Sequence, residues 1–127
     1  MKLLVVDDSS AIRKIIKAAA DVLRMETEEA QDGIEALEKL SERYEEISLI
    51  LLDWNMPEMS GYDVLVEIKS SDKYKGIPVM MVTTESQKTS IVAAIRAGAD
   101  NYLTKPFTVD ELQTKIIECL GEEGDFY

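Results

Sequence analysis

The chain has 127 residues and carries 14 basic and 25 acidic side chains, which gives a formal charge of −11. That length suits one domain, which buries roughly two-thirds of the surface of its extended chain. The acidic balance argues against sequence-independent nucleic-acid binding, which needs a basic surface. No apolar run reaches membrane-spanning length, so we expect no membrane insertion. The chain has no histidine, which excludes histidine-based catalysis and imidazole metal ligands.

Cys119 is the only cysteine, so the chain cannot form an internal disulfide. A lone thiol fits a reducing compartment, and we expect a cytoplasmic protein. Because Cys119 falls within a helical pattern, a packed thiol is favoured over a nucleophile.

The first third of the chain predicts a strand followed by a helix. Residues 3–6 are an apolar run that ends in Asp7 and Asp8. Apolar residues then recur at helical spacing, namely Ile12, Ile15, Ile16, Ala19, Val22 and Leu23. Either Ser9 or Ser10 is expected to cap this helix.

The next elements lead to the most informative strand. Residues 26–30 predict a weak strand near a sheet edge, and Asp32-Gly33-Ile34-Glu35 resembles the capping box of a second helix. The apolar run 49–52 stops abruptly at Asp53. A short apolar run bounded by turn signals is typical of a parallel strand buried on both faces. Asp53 is therefore expected at the carboxyl end of a central strand, where open α/β sheets keep their sites.

The second half of the chain continues the alternation. A turn that ends at Gly61 precedes a third helix, and residues 78–83 predict another buried strand. A fourth helix is closed by Gly98, and residues 101–104 predict a short last strand. The final helix opens with a capping box over 108–111.

Five strands alternating with five helices predict an α/β fold, a doubly wound parallel sheet with helices on both faces. We expect residues 1–121 to form this one domain and residues 122–127 to form an acidic tail.

The polar residues that carry chemistry fall at the carboxyl ends of different strands, and they are Asp7, Asp8, Asp53, Thr83 and Lys105. Carboxylates about 4 Å apart repel by several kcal/mol at an intermediate dielectric, so three together need a counter-charge. Hard oxygen ligands suit Mg²⁺, and Lys105 adds a point charge for the same purpose. A carboxylate beside a metal, a lysine and a hydroxyl can act as a nucleophile in phosphoryl transfer, which gives an aspartyl-phosphate.

Taken in order, these motifs resemble the receiver domain of two-component response regulators, and within that family the stand-alone chemotaxis type. The resemblance covers essentially the whole chain. It rests on Asp7-Asp8, Asp53-Trp54-Asn55-Met56-Pro57, Met81-Val82-Thr83, Ala97-Gly98-Ala99, Tyr102 and Lys105-Pro106-Phe107. It implies the flavodoxin-like strand order 2-1-3-4-5.

The resemblance also implies how phosphate and metal are held. Asp53 is the expected phosphoacceptor. Mg²⁺ is expected to bind Asp8, Asp53 and the backbone carbonyl of Asn55, with Asp7 helping through water.

Further roles follow from the same resemblance. Thr83 and Lys105 are expected to hold the phosphoryl oxygens, and Tyr102 is expected to turn inward when Thr83 moves. The Lys105–Pro106 bond is expected to be cis.

The implied function is a signalling switch and not an enzyme that turns over a substrate. A histidine kinase is the expected phosphodonor, and a flagellar switch protein is the expected output partner. A phosphatase is a further candidate partner. We expect the protein to be a monomer. The expected partner face carries Lys88, Ile91, Tyr102 and Lys115. The alternative for this face is that Ile91 belongs to the core and the lysines only keep the surface soluble.

Two alternatives share every site residue. The chain can be a phosphorelay intermediate that passes phosphate to a histidine phosphotransfer protein, or a receiver domain that is part of a larger regulator.

A flavodoxin is disfavoured because Asp7 and Asp8 would repel its phosphate. An aspartyl-phosphate hydrolase is disfavoured because Asn55 replaces its usual second carboxylate.

Overall fold

The structure, a computed structural model, describes residues 1–121, and the expected acidic tail lies outside them. Its elements in chain order are β1 (Lys2–Val6), α1 (Ser10–Val22), β2 (Glu26–Ala30), α2 (Gly33–Arg43), β3 (Ile47–Leu52), α3 (Gly61–Ser70), β4 (Val79–Thr83), α4 (Lys88–Arg96), β5 (Asn101–Thr104) and α5 (Val109–Cys119). A 3₁₀ turn at Tyr44–Glu46, which the sequence did not predict, joins α2 to β3. All strand pairs are parallel in the order β2-β1-β3-β4-β5, so the predicted fold class and strand order are confirmed.

The two faces of the sheet bury alternate residues of the same strands. In β1, Leu3 and Val5 pack in the layer formed with α1 and α5, whereas Leu4 and Val6 pack with α2, α3 and α4. Successive side chains of a strand point to opposite faces, so a strand covered on both sides must be apolar throughout. This is why residues 3–6 of β1, 49–52 of β3 and 79–82 of β4 read as unbroken apolar runs.

Side-chain caps fix where four of the helices begin. Ser9, and not Ser10, caps α1 by accepting from the Ile12 amide at 3.2 Å. The predicted capping box at Thr108 is complete. The box predicted at Asp32 is half formed: Asp32 accepts from the Glu35 amide, but the Glu35 carboxylate accepts from Gln31. Ser60 caps α3 by accepting a hydrogen bond from the Asp63 amide.

Several apolar residues of the predicted helical patterns lie in solvent. Ile15 and Val22 on α1 are 45% and 72% exposed, because α1 contacts the rest of the fold through the stripe that contains Ile16, Ala19 and Ala20. Helical spacing alone therefore overstated the buried face of α1. Within residues 1–121, no helix is both long enough and apolar enough to cross a membrane.

Lys69 on α3 stabilises the amino-terminal ends of β4 and β5, which lie at the opposite end of the strands from the acidic residues. Its ammonium donates to the Ile77 carbonyl at 2.9 Å and to the Asp100 carboxylate at 3.2 Å. Asp100 also accepts from the Val79 amide at 2.9 Å. Gly98 packs directly on the Lys69 stem with φ +112°, a backbone conformation that favours glycine.

We expect Gly98→Ala to destabilise the fold by about 1–2 kcal/mol, because the methyl group forces a left-handed residue against Lys69. A Cβ at position 98 would lie 2.8 Å from Lys69 Cγ, whereas one at Gly76 would meet nothing within 4 Å. Gly76→Ala is therefore the matched control and should be close to neutral. Urea unfolding measures both, and equal free energies of unfolding for the two variants would contradict the packing argument.

Candidate functional site

Three aspartates gather at the carboxyl edge of the sheet because their strands are neighbours. Asp7 and Asp8 follow β1, Asp53 follows β3, and Val6 pairs with Leu52 directly before them. One carboxylate oxygen from each aspartate lies within 4.8 Å of the others. Asp7 and Asp53 are only 2% and 6% exposed, while Asp8 is exposed to solvent. The cluster is thus two buried charges and one that faces water.

Lys105 supplies the counter-charge predicted for this cluster. It follows β5, and its amide donates to the Thr83 carbonyl at 2.8 Å. Its ammonium lies 2.8 Å from Asp7 Oδ2 and 3.5 Å from Asp53 Oδ2. The peptide bond between Lys105 and Pro106 is cis, as expected.

The Asp53 carboxyl has a pKa raised above its ordinary value, chiefly because burial penalises the charged form. The Asp7 charge raises this pKa further. A hydrogen bond with Thr83, the Lys105 charge and the Asn55 backbone lower it. The side chains that favour the anion therefore include the two expected to hold the phosphoryl group.

Asp7 is held from four sides. Its amide donates to the Ala30 carbonyl at 3.1 Å. Its Oδ1 accepts from the Ser9 amide at 2.9 Å, and its Oδ2 accepts from Lys105. The Arg13 guanidinium donates to its backbone carbonyl at 2.6 Å. Both carboxylate oxygens are therefore already bonded, which favours contact with a cation through water.

The loop after β3 is shaped by close backbone packing. The Gly61 amide donates to the Trp54 carbonyl at 2.7 Å, and a Cβ at position 61 would overlap the Asp53 carbonyl. The Trp54 ring packs on Tyr62 with centroids 5.3 Å apart. Asn55 is exposed and immediately follows the site strand and Trp54. Gly61 thus lets α3 begin against the backbone of the proposed phosphoacceptor.

Thr83 and Tyr102 are joined through the backbone of Glu85. The Glu85 amide donates to Thr83 Oγ1 at 3.2 Å, and the Tyr102 hydroxyl donates to the Glu85 carbonyl at 2.7 Å. Tyr102 is half-buried and packs against the core. Burial, with the Glu85 and Asp53 charges, raises the pKa of Tyr102 to about 12, so its hydroxyl stays a donor at neutral pH.

The residues of the expected partner face lie around the edge strand β5. Lys88 is exposed at the start of α4, and Ile91 is half-buried one turn later. Tyr102 lies on β5, and Lys115 lies on α5, 3.9 Å from Glu118. Because α4 and α5 cover opposite faces of the sheet, the face spans the sheet edge. Exposed Val92 and Ile95 extend its apolar part, and neither was predicted as part of it.

The structure brings together Asp7, Asp8, Asp53, Thr83 and Lys105 as the spacing predicted. It also shows contacts that sequence reasoning missed, from Arg13, from the Ser9 amide and from the Glu85 backbone. Ser9 carries the signal of a helix cap. Arg13 and Glu85 carry no local signal, because Arg13 is oriented by Glu29 on β2 and the Glu85 carbonyl is held by Tyr102 on β5, and both partners are distant along the chain.

A five-stranded parallel sheet with an acidic cluster, a lysine and a threonine at its carboxyl edge defines a class of protein. Residues 3–117 match the response regulator receiver domain family. The chain belongs to this family.

Within the family, the chain resembles chemotaxis regulators over nearly its whole length. It is 45% identical to chemotaxis protein CheY1 of Helicobacter pylori, over 95% of this chain and 98% of that protein. The structure of Vibrio cholerae CheY4 superposes with a TM-score of 0.86 at 33% identity and covers 94% of this chain and 98% of that one. The Mn²⁺-bound form of response regulator Rcp1 gives 0.82 at 29% identity, over 95% of each chain.

We expect Asp53→Asn to stabilise the protein at neutral pH by about 0.5–2 kcal/mol in the absence of divalent cations. The raised pKa means that the folded state binds the Asp53 proton more tightly than the unfolded state. The penalty is therefore absent at acid pH and grows as pH rises through the folded pKa. Urea unfolding from pH 4 to pH 7.5 measures the difference, and a gap that widens toward acid pH would contradict this origin.

Proposed function

We propose that the chain is a phosphorylation-activated switch that accepts a phosphoryl group on Asp53 and then binds an output protein. A histidine kinase is the proposed donor, and a flagellar switch protein the proposed output partner. One observation carries the proposal: a buried aspartate at the end of a central strand shares a lysine with a second buried aspartate. Because the chain belongs to the receiver family, we interpret this arrangement as a phosphoacceptor site.

In the proposed reaction, a carboxylate oxygen of Asp53 attacks the phosphorus of the donor. The new O–P bond forms as the N–P bond of the donor phosphohistidine breaks, and the donor histidine keeps the electron pair. Asp53 must be ionised to attack, and the Thr83 hydrogen bond and the Lys105 charge support the anion. Lys105 is also close enough to neutralise charge on the transferred oxygens. The chain modifies itself and then loses the group, so it turns over no separate substrate.

The donor set fits Mg²⁺. Asp8, Asp53 and the Asn55 carbonyl are the proposed direct ligands, and Asp7 acts through water because Ser9 and Lys105 occupy its oxygens. Mg²⁺ prefers oxygen donors and keeps several waters, which suits a cluster whose Asp8 faces solvent. When bound, the ion neutralises phosphoryl charge. Rcp1, a similar receiver, has a Mn²⁺-bound form.

We propose that Thr83 and Tyr102 carry the signal away from Asp53. The Thr83 hydroxyl can donate a charge-assisted hydrogen bond to a phosphoryl group while its Oγ1 still accepts from the Glu85 amide at 3.2 Å, so a shift of the hydroxyl toward the phosphoryl group pulls on that amide. Moving the hydroxyl alters the Glu85 backbone, whose carbonyl holds the Tyr102 hydroxyl. The change is a shift between existing conformations and is limited by their differential contacts.

The proposed output surface is the face with Lys88, Ile91, Tyr102 and Lys115. Together with exposed Val92 and Ile95, it mixes apolar and basic groups on a chain with a charge of −11, which suits a short amphipathic segment with acidic residues. The named chemotaxis relatives support a role in chemotaxis. A phosphatase can share the same face.

We expect acetyl phosphate with Mg²⁺ to add one phosphoryl group to the wild-type chain, as measured by intact-mass spectrometry. Asp53→Asn should remove the adduct, because the nucleophile is lost. Asp8→Ala should slow labelling by at least about tenfold, because a metal ligand is lost. Asp63→Asn, an exposed aspartate at the start of α3, is the matched control and should label normally. Full labelling of Asp53→Asn would show that the phosphoacceptor is wrongly assigned.

We expect beryllofluoride with Mg²⁺ to increase binding to a flagellar switch-protein peptide, as measured by calorimetry. Ile91→Asp and Lys115→Glu should each weaken binding of the activated form by about tenfold or more, because each puts a negative charge on the face. Lys75→Glu, in the loop before the amino-terminal end of β4, should bind as wild type does.

The control measurements are the labelling and the urea unfolding of each variant. Folded, phosphorylatable variants that bind unchanged would show that the face is wrongly assigned. Binding without any activation dependence would contradict the switch. Transfer of phosphate from Asp53 to a histidine phosphotransfer protein would instead support the phosphorelay alternative.

A further inference from the structure

We propose that Arg13 is a positioning residue for the magnesium site, because it holds the peptide between Asp7 and Asp8 in place. This inference rests on the proposed function. Arg13 lies near the start of α1, and its side chain is 15% exposed. Its Nη1 donates to the Asp7 carbonyl at 2.6 Å, and its Nε donates to Glu29 Oε1 at 2.8 Å.

The bonded carbonyl belongs to the peptide that links the two aspartates. Holding it fixes the rotation of that peptide and hence the direction in which Asp8 leaves β1. Asp8 depends on this support, because no side-chain hydrogen bond or ion pair holds its carboxylate within residues 1–121. Asp7, in contrast, is held through its own carboxylate by Ser9 and Lys105.

Glu29 keeps the guanidinium in the orientation that the carbonyl needs. Its backbone is fixed in β2, where it pairs with Val5, and its carbonyl accepts a hydrogen bond from Lys39. The Glu29 carboxylate is 42% exposed, so the ion pair itself adds little stability. Two donors on different nitrogens of one planar group nevertheless define the plane of that group.

The charge of Arg13 and its geometry predict opposite effects on metal affinity. A nearby cation repels Mg²⁺, so as a mere charge Arg13 would weaken binding, and its removal would tighten it. As a positioning residue it orders a ligand before the metal arrives, so its removal should weaken binding. Residues behind metal ligands commonly contribute about 10–100-fold in affinity. The sign of the change therefore separates the two roles.

The experiment is a Mg²⁺ titration of the full chain, followed by calorimetry and by the fluorescence of Trp54, the only tryptophan. Arg13→Gln should raise the Mg²⁺ Kd by roughly tenfold, because the carbonyl loses its rigid donor. Arg13→Lys keeps the charge but cannot reproduce the paired donors, so it should behave like Arg13→Gln. Lys14→Gln removes the same charge from the next, exposed residue of α1 and should stay within about twofold of wild type.

Urea unfolding without metal accompanies each titration. A Kd for Arg13→Gln equal to or below that of wild type would overturn the proposal. A wild-type Kd for Arg13→Lys would also overturn it, because charge alone would then suffice. If Arg13→Gln does not fold, Arg13→Lys decides, since it retains the charge and the apolar stem. Failure of the wild-type chain to bind Mg²⁺ would contradict the proposed metal site itself.

Discussion

The position of the Lys105 ammonium between Asp7 and Asp53 is the constraint on which the site depends. Like charges about 4 Å apart repel by several kcal/mol at an intermediate dielectric, and two of the three aspartates are buried. A cation must therefore reach the cluster. It does so because β5 lies beside β4, where the Lys105 amide bonds the Thr83 carbonyl. The strand order thus determines which charges meet.

Two half-buried lysines lie at opposite ends of the strands, and they show the difference between a structural charge and one proposed to act in function. Lys69 donates to two backbone carbonyls and to the Asp100 carboxylate, which satisfies all three of its donors. Within residues 1–121, Lys105 reaches two acceptors, and its contact with Asp53 is long at 3.5 Å. An incoming anion can therefore replace that contact at low cost, whereas it could not displace the acceptors of Lys69.

The sequence predicted those features that depend on local pattern and strand register. Apolar runs that end in Asp7 and Asp53 predicted both strands and their shared edge, because parallel strands end at the same side. The exposure of Ile15 and Val22 was not predicted, since helical spacing does not tell how wide a stripe the sheet covers. The Arg13 contact was also missed, because it requires α1 and β2 to meet around the end of β1.

The backbone of Glu85 limits how strongly the site and the proposed partner face can influence each other. One hydrogen bond joins its amide to Thr83, and another joins its carbonyl to Tyr102. A typical hydrogen bond contributes about 1 kcal/mol net, and one to a charged group about 1.5–3 kcal/mol. Because the coupling passes through these two neutral hydrogen bonds, it is limited to about 1–2 kcal/mol, which changes a partner affinity by roughly five- to thirty-fold. A connection of this kind suits a graded shift in binding, so under the proposed function the unphosphorylated chain should retain weak affinity for its partner.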